Sequence, residues 1–281
     1  MNGYNKLMKK AQAVVKSAGE ILIARSSTEK NAKDKGVFDF VTNIDTEVET
    51  FVKAELVKVG LDYEFISEEH YDNPLLDKVT YWVLDPIDGT TNYINNLNSS
   101  AVALCLVEDG VEQLGIVYNP FNKELFTAIR GEGAYLNNKR IQVSTDESIK
   151  RNLCFFGVPC DRTKLKDVFN YVHTISSLFG DCKRLGPASI DICGVACGRA
   201  TCYIELNLKK WDILAGKLIL EEAGGLLVDI NGDTVDITKD SFSIIACTKD
   251  VQKRILKLYK DEKTDPSMCL FRNKLNSEEI Q

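Results

Sequence analysis

The chain has 281 residues, of which 44% are hydrophobic and 27% charged, with a formal net charge of −6. That supplies sizeable cores over roughly two domains without a bilayer-spanning run. The acidic balance, with no basic stripe interleaved with aromatics, argues against nucleic acid as partner, and no lysine-bearing phosphate loop of the NTPase type is present. Nine cysteines follow a start, Met1-Asn2-Gly3-Tyr4-Asn5-Lys6, that lacks an export-signal hydrophobic block, which points to a reducing cytoplasm and no membrane.

In chain order, Leu7, Ala11, Val14, Val15, Ala18 and Leu22 recur at helical spacing and predict an amphipathic first helix. Val48, Phe51, Val52, Leu56 and Val59 predict a second, ended by Gly60. Tyr63-Glu64-Phe65-Ile66 reads as a strand, placing Glu68 of Ser67-Glu68-Glu69 at its C-terminal end, where open sheets gather ligands. Glu69 reads as a solvated surface acid and His70 as an exposed loop histidine. Thr80-Tyr81-Trp82-Val83-Leu84 is β-branched, aromatic and apolar, a buried strand that delivers Asp85 to a sheet edge.

The run Asp85-Pro86-Ile87-Asp88-Gly89-Thr90-Thr91-Asn92 is the most informative in the chain. Pro86 lacks an N–H and is expected to end the ladder, while Gly89 turns the chain so that Asp88 returns toward Asp85. Two carboxylates three positions apart suit hard cations. The N–H groups of Gly89, Thr90 and Thr91 can line an anion site facing bound metal.

Hairpins follow: Asp109-Gly110 joins 101–107 to 114–118, and Asn137-Asn138 turns another pair. After about Val143 strands and helices alternate: 152–156, then 165–178, then a helix with Pro187 at its first position running from Ala188 through Gly198, then a strand that Glu205 ends. Asp212 falls in the first turn of an apolar-periodic helix stopped by Gly224-Gly225, and 226–230 is a strand. Cys193, Cys197 and Cys202 read as small core hydrophobes, not as a metal set. The fold class is α/β with an α+β N-terminal part: residues 1–143 hold the antiparallel sheet and most acidic ligands, and 144–281 form an α/β domain with a polar tail from about Asp261.

If Glu68, Asp85, Asp88 and Asp212 converge, each close pair of like charges costs about 4 kcal/mol at an effective dielectric near 20. Oxygen-only ligands without nearby His or Cys select Mg²⁺, Mn²⁺ or Ca²⁺ over zinc.

These motifs occur in one order: Asp39-Phe40-Val41-Thr42-Asn43-Ile44-Asp45, Ser67-Glu68-Glu69, the run from Trp82 to Asn92, Gly186-Pro187-Ala188-Ser189, and Trp211 through Gly225. In that order they resemble the inositol monophosphatase family of magnesium-dependent, lithium-sensitive phosphatases. The resemblance implies a layered αβαβα sugar-phosphatase fold with the site between domains. It implies that Glu68, Asp85 and the Ile87 carbonyl bind one Mg²⁺ ion, and Asp85, Asp88 and Asp212 a second. Glu68 with water would hold a third, and Mn²⁺ is an alternative metal. It assigns Asp45 and Thr90 to orienting and deprotonating the attacking water, with Glu68 among the catalytic groups. Asp88, Gly89, Thr90, Ala188 through its N–H, Glu205 and Asp212 would meet the substrate, a small phosphorylated polyol or sugar.

Pro187 stands where relatives carry a hydroxyl-bearing or small residue, which removes one N–H donor. Inositol monophosphate leads as substrate. Fructose 1,6-bisphosphate and a 3′(2′),5′-bisphosphate nucleotide are the alternatives within the superfamily, and a regulatory binding protein with a vestigial site is the alternative from another class. The resemblance also implies a homodimer.

Overall fold

Residues 3–36, 39–70, 80–146 and 148–261 are described in the computed structural model. Helix α1 (Gly3–Arg25) buries Met8, Ala11, Val14, Val15, Ala18 and Leu22 along one face, as the spacing predicts. A two-stranded antiparallel ribbon, β1 (Lys33–Gly36) and β2 (Asp39–Val41), leads into α2 (Asn43–Lys58). The N-terminus of α2 is closed by a capping box between Thr42 and Asp45, a structural duty for Asp45 that the Thr42-x-x-Asp45 spacing signals and the sequence reading did not take up.

A seven-stranded sheet follows, made of β3 (Glu64–Ser67), β4 (Tyr81–Asp88), β5 (Ala101–Glu108), β6 (Val111–Asn119), β7 (Glu124–Ile129), β8 (Gly133–Leu136) and β9 (Lys139–Arg140) in that spatial order. Only β3 and β4 run parallel; the rest meander antiparallel. The turns at Asp109-Gly110 (φ 50° and 75°) and Asn137-Asn138 (φ 49° and 65°) are left-handed at both central residues, which suits the tight hairpins expected there. The short helix α3 (Thr90–Ile94) leaves β4 through Gly89.

The remaining elements are β10 (Leu153–Phe156), α4 (Leu165–Ile175), β11 (Asp181–Lys183), α5 (Ala188–Ala196), β12 (Cys202–Leu208), α6 (Lys210–Glu222), β13 (Leu226–Asp229), β14 (Phe242–Cys247) and α7 (Lys249–Asp261). The five strands pair in the order β11-β10-β12-β14-β13, parallel among β11, β10 and β12 and antiparallel on the β14 side. Sequence reading missed β11, β14 and α7. The expected polar tail lies outside the described residues apart from Asp261 itself.

Alternation along the strands sorts side chains into two faces. Trp82, Leu84, Leu104 and Ile116 point toward α1 and α2. Tyr81, Val83, Ala103 and Val117 point toward α5 and α6, which also receive Phe155, Tyr203, Ile244 and Ala246 of the second sheet. The far face of that sheet packs on Val168, Tyr171 and Ile175 of α4 and on Val251 and Ile255 of α7. The order helix, sheet, helix, sheet, helix is the layered αβαβα arrangement expected, and it makes β4 apolar on both faces.

Cys182, Cys154, Cys202 and Cys247 stand in register across β11, β10, β12 and β14, with the last three fully buried. Cys193 is buried and Cys197 half-buried, and every described cysteine is a free thiol. Cys193 and Cys202 fill the core as expected, with Cys197 packed against it. Among the described residues no helix is long and apolar enough to cross a membrane.

One close approach fixes the central layer. A Cβ on Gly115 of β6 would lie 2.7 Å from the Ala215 carbonyl oxygen of α6, so backbone meets backbone there. Gly115→Ala is therefore expected to destabilise the fold by about 2 kcal/mol, read as a lower denaturation midpoint in urea at unchanged slope.

Candidate active site

The strand β4 does not stop at Pro86. It continues to Asp88, with a bulge between Asp85, opposite Ala103, and Asp88, opposite Ala101. The expected end of the ladder is thus corrected: the missing Pro86 N–H is absorbed by an extra residue, which re-aims the two acids. The Asp85 Oδ1 accepts the Ile87 N–H at 3.0 Å. Gly89, at φ 87°, then turns the chain into α3, and its Cα faces the Pro187 ring so closely that a Cβ would come within 2.7 Å.

Pro187 is corrected by one position. It caps α5 instead of opening it, and the helix ends at Ala196, with Gly198 at φ 78° beyond. The freed helix N-terminus is taken by Asp88, whose Oδ1 accepts the Ala188 N–H at 3.2 Å and whose Oδ2 accepts the Ser189 N–H at 2.7 Å and the Ser189 hydroxyl. The Ala188 N–H, expected to face substrate, is therefore engaged by Asp88 in this structure.

Glu68 follows β3 and is held by Lys35 of β1 at 2.9 Å. The same ammonium lies 2.5 Å from Glu69, so Glu69 is a half-buried, paired acid and not the solvated one expected. His70 is exposed as expected, with Nδ1 2.6 Å from Glu49. Asp212 is the third residue of α6, where its Oδ2 accepts the Lys209 N–H at 2.6 Å. Glu205 lies mid-strand: β12 continues past it to Leu208 through a bulge that places Asn207 at φ 62°.

A cleft of about 340 Å³ is lined by Glu68, Asp85, Ile87, Asp88, Gly89, Thr90, Ala188, Glu205 and Asp212, all of them residues singled out from sequence. Asp45 joins through Thr90, whose hydroxyl lies 3.0 Å from the Ile87 carbonyl oxygen and 3.4 Å from Asp45 Oδ1. The other Asp45 oxygen accepts the Thr42 N–H at 2.8 Å and the Thr42 hydroxyl at 2.5 Å.

Burial dominates the electrostatics. It pushes Glu68 up to about 7 against the pull of Lys35, and Asp88 up to about 6 against its bonds from Ser189 and Ala188. Asp85 rises well above the usual carboxylate range, first through burial and then through the charges of Glu68, Asp88 and Asp212. Asp212 rises likewise through burial, Glu68 and Asp88, and burial also raises Asp45.

Sequence reading missed several partners. Lys35 carried no periodic signal, and its own burial is outweighed by Glu68 and Glu69, which keep it protonated. Ser189 lay within the recognised Gly186-Pro187-Ala188-Ser189 motif but was given no role of its own. Asp191, buried behind the cleft, is pushed up to about 8 by burial and then by the charges of Asp88 and Glu205. Tyr203, two residues before Glu205 on one strand, was legible from strand period alone.

A sequence profile of the inositol monophosphatase family matches residues 4–264. The chain belongs to the inositol monophosphatase family. A curated relative named Nus factor SuhB from Escherichia coli is 33% identical over 260 residues, covering 91% of this chain and 96% of its own. Another of the same name from Pasteurella multocida is 37% identical over 223 residues, covering 79% and 83%. The crystal structure of the suhB protein from Bartonella henselae superposes with a TM-score of 0.82 at 28% identity, over 90% of this chain and 98% of that one. The inositol monophosphatase from Anabaena gives 0.81 at 26%, over 92% and 97%. As an inositol monophosphatase family member the chain is a phosphatase of a metal-dependent superfamily.

The residues fit the hard divalent cation typical of that family. The cleft carries five acids, Glu68, Asp85, Asp88, Glu205 and Asp212, against Lys35, Arg184 and Lys209, and the acids offer oxygen donors alone. Among the described residues no three His, Cys, Asp or Glu side chains close to metal-holding distance. Glu68 is paired with Lys35, Asp88 accepts from the α5 N-terminus and Asp212 accepts from the Lys209 backbone N–H.

Proposed function

We propose that the protein hydrolyses a phosphate monoester, with inositol monophosphate as leading substrate, by direct attack of water and without a phospho-enzyme. The observation that carries this is the opening of Glu68, Asp85, Asp88 and Asp212 onto the same cleft as Thr90, whose hydroxyl reaches the buried Asp45. Glu68, Asp85 and the Ile87 carbonyl would hold one Mg²⁺, and Asp85, Asp88 and Asp212 a second, with Asp85 shared. Glu68 with water would take a third, and Mn²⁺ can substitute. Bound there, such a cation lowers the pKa of coordinated water and offsets charge on the phosphate and the departing alkoxide.

Thr90 and Asp45 do the proton work. The Thr90 hydroxyl accepts the water's proton donation and passes its own proton to Asp45 Oδ1, and burial makes Asp45 a stronger base than an exposed aspartate. Because Asp45 Oδ2 is fixed by the α2 cap, the base stays aligned. Glu205 accepts a hydroxyl of the alcohol half of the substrate.

The name Nus factor carried by the relatives supports a second reading, a regulatory binding protein, while the complete set of acids favours turnover. One assay separates them: phosphate release from inositol 1-phosphate, fructose 1,6-bisphosphate and adenosine 3′,5′-bisphosphate, with Mg²⁺, with added Li⁺ and with chelator. Mg²⁺-dependent turnover of the inositol ester at least tenfold above the others is expected. A preference for either bisphosphate moves the substrate assignment, and no release from any of the three supports the binding role.

A further inference from the structure

Glu205 is held from two sides by residues with no part in the proposed chemistry. On β12, residues 203 and 205 share the inner face, and the hydroxyl of the fully buried Tyr203 donates to Glu205 Oε2. Opposite, the chain leaving β10 brings Gly157 against the same carboxylate. A Cβ there would overlap Oε2 and Cδ, so only glycine leaves the carboxylate where it is. The Gly157 N–H donates to the Ile204 carbonyl at 2.9 Å, which ties that segment to the strand carrying Glu205. Glu205 is 7% exposed and lines the cleft, and a bulge follows it immediately.

We infer that Tyr203 and Gly157 are positioning residues that set specificity for the alcohol half of the substrate. By donating to Oε2, Tyr203 fixes the rotation of the carboxylate and leaves Oε1 without a protein donor among the described residues, and Gly157 provides the space in which that orientation is kept. A polyol hydroxyl meets an acceptor already aligned, whereas a phosphate ester of a phenol, with no hydroxyl to offer, gains nothing from it. The inference rests on the phosphatase reading and deepens it: the substrate class is one whose alcohol carries a free hydroxyl near the ester.

The test compares inositol 1-phosphate with p-nitrophenyl phosphate in Mg²⁺ for wild type, Tyr203→Phe, Glu205→Gln and the double variant. For Tyr203→Phe, losing one hydrogen bond to an ionisable group should raise KM for the inositol ester about three- to tenfold with kcat within twofold, while both constants of that variant for the aryl ester stay within twofold; Glu205→Gln serves only as the background for the double variant. The double variant should be no worse than Glu205→Gln alone, because Tyr203 acts only through Glu205.

Equal loss on both esters, or no loss on either, overturns the inference, as does an additive double variant. Should Tyr203→Phe fold poorly, Gly157→Ala supplies the same comparison from the other side of the carboxylate. Failure of the phosphatase reading shows separately, as wild-type protein that releases phosphate from neither ester.

Discussion

Asp88→Asn is expected to lower turnover by about 10³-fold or more while the protein stays folded. Asp88 would bind one ion and sits at the cleft mouth of α5, so the amide removes a charge-bearing ligand whose contribution to transition-state stabilisation is on the order of 4 kcal/mol. The fold has less to lose. Asp88 is buried and pushed up to about 6, so its charge is unfavourable in the metal-free protein. The asparagine oxygen can still accept from the Ser189 N–H that Asp88 Oδ2 accepts at 2.7 Å. The thermal midpoint of the metal-free variant should thus lie within a few degrees of wild type at pH 7.5. Activity within tenfold of wild type would remove Asp88 from the metal set.

The second large effect concerns pH and metal together. Burial raises Glu68 to about 7, Asp88 to about 6 and Glu205 to about 7. In the unfolded chain such groups ionise near pH 4. Between about pH 4 and about pH 7 the folded protein therefore keeps protons that the unfolded chain has already released, so stability falls as pH rises through that window. Metal-free protein should melt about 5 °C lower or more at pH 8 than at pH 5.5. Added Mg²⁺ should raise the midpoint most at pH 8, where the acids are ionised, and least at pH 5.5, where protons compete. Scanning calorimetry with chelator and with Mg²⁺ reads both. A flat pH profile with an equal Mg²⁺ shift at both ends would mean that the acids do not form one ion-binding cluster.

Much of this was legible in the chain because two periodicities are strong. The helical stripe of α1 and the hairpin turns at Asp109-Gly110 and Asn137-Asn138 are local signals, and the folded protein obeys them. The acids were found because Asp85, Asp88, Glu68 and Asp212 each stand at the end or start of an element with clear apolar patterning. What escaped depends on contacts distant in sequence. Lys35 reaches Glu68 and Glu69 from a ribbon with no apolar pattern. The bulge at Pro86 arises because strand β5 continues alongside it and keeps the chain in the sheet after the ladder bond is lost. Likewise Glu205 stays within β12 because β14 pairs beyond it at Leu208. Local rules placed breaks where neighbours supplied continuity.

Helix α6 carries Asp212 in its first turn at the cleft and runs between the two sheets, touching β6 through the bare backbone at Gly115. Asp85 and Asp88 belong to one sheet, and the carboxylate at the start of α6 is carried on a rod wedged between both. Affinity for the proposed cation would accordingly be a gauge of layer spacing: a substitution that pries the rod from β6, lining no part of the cleft, would retune the site from a distance.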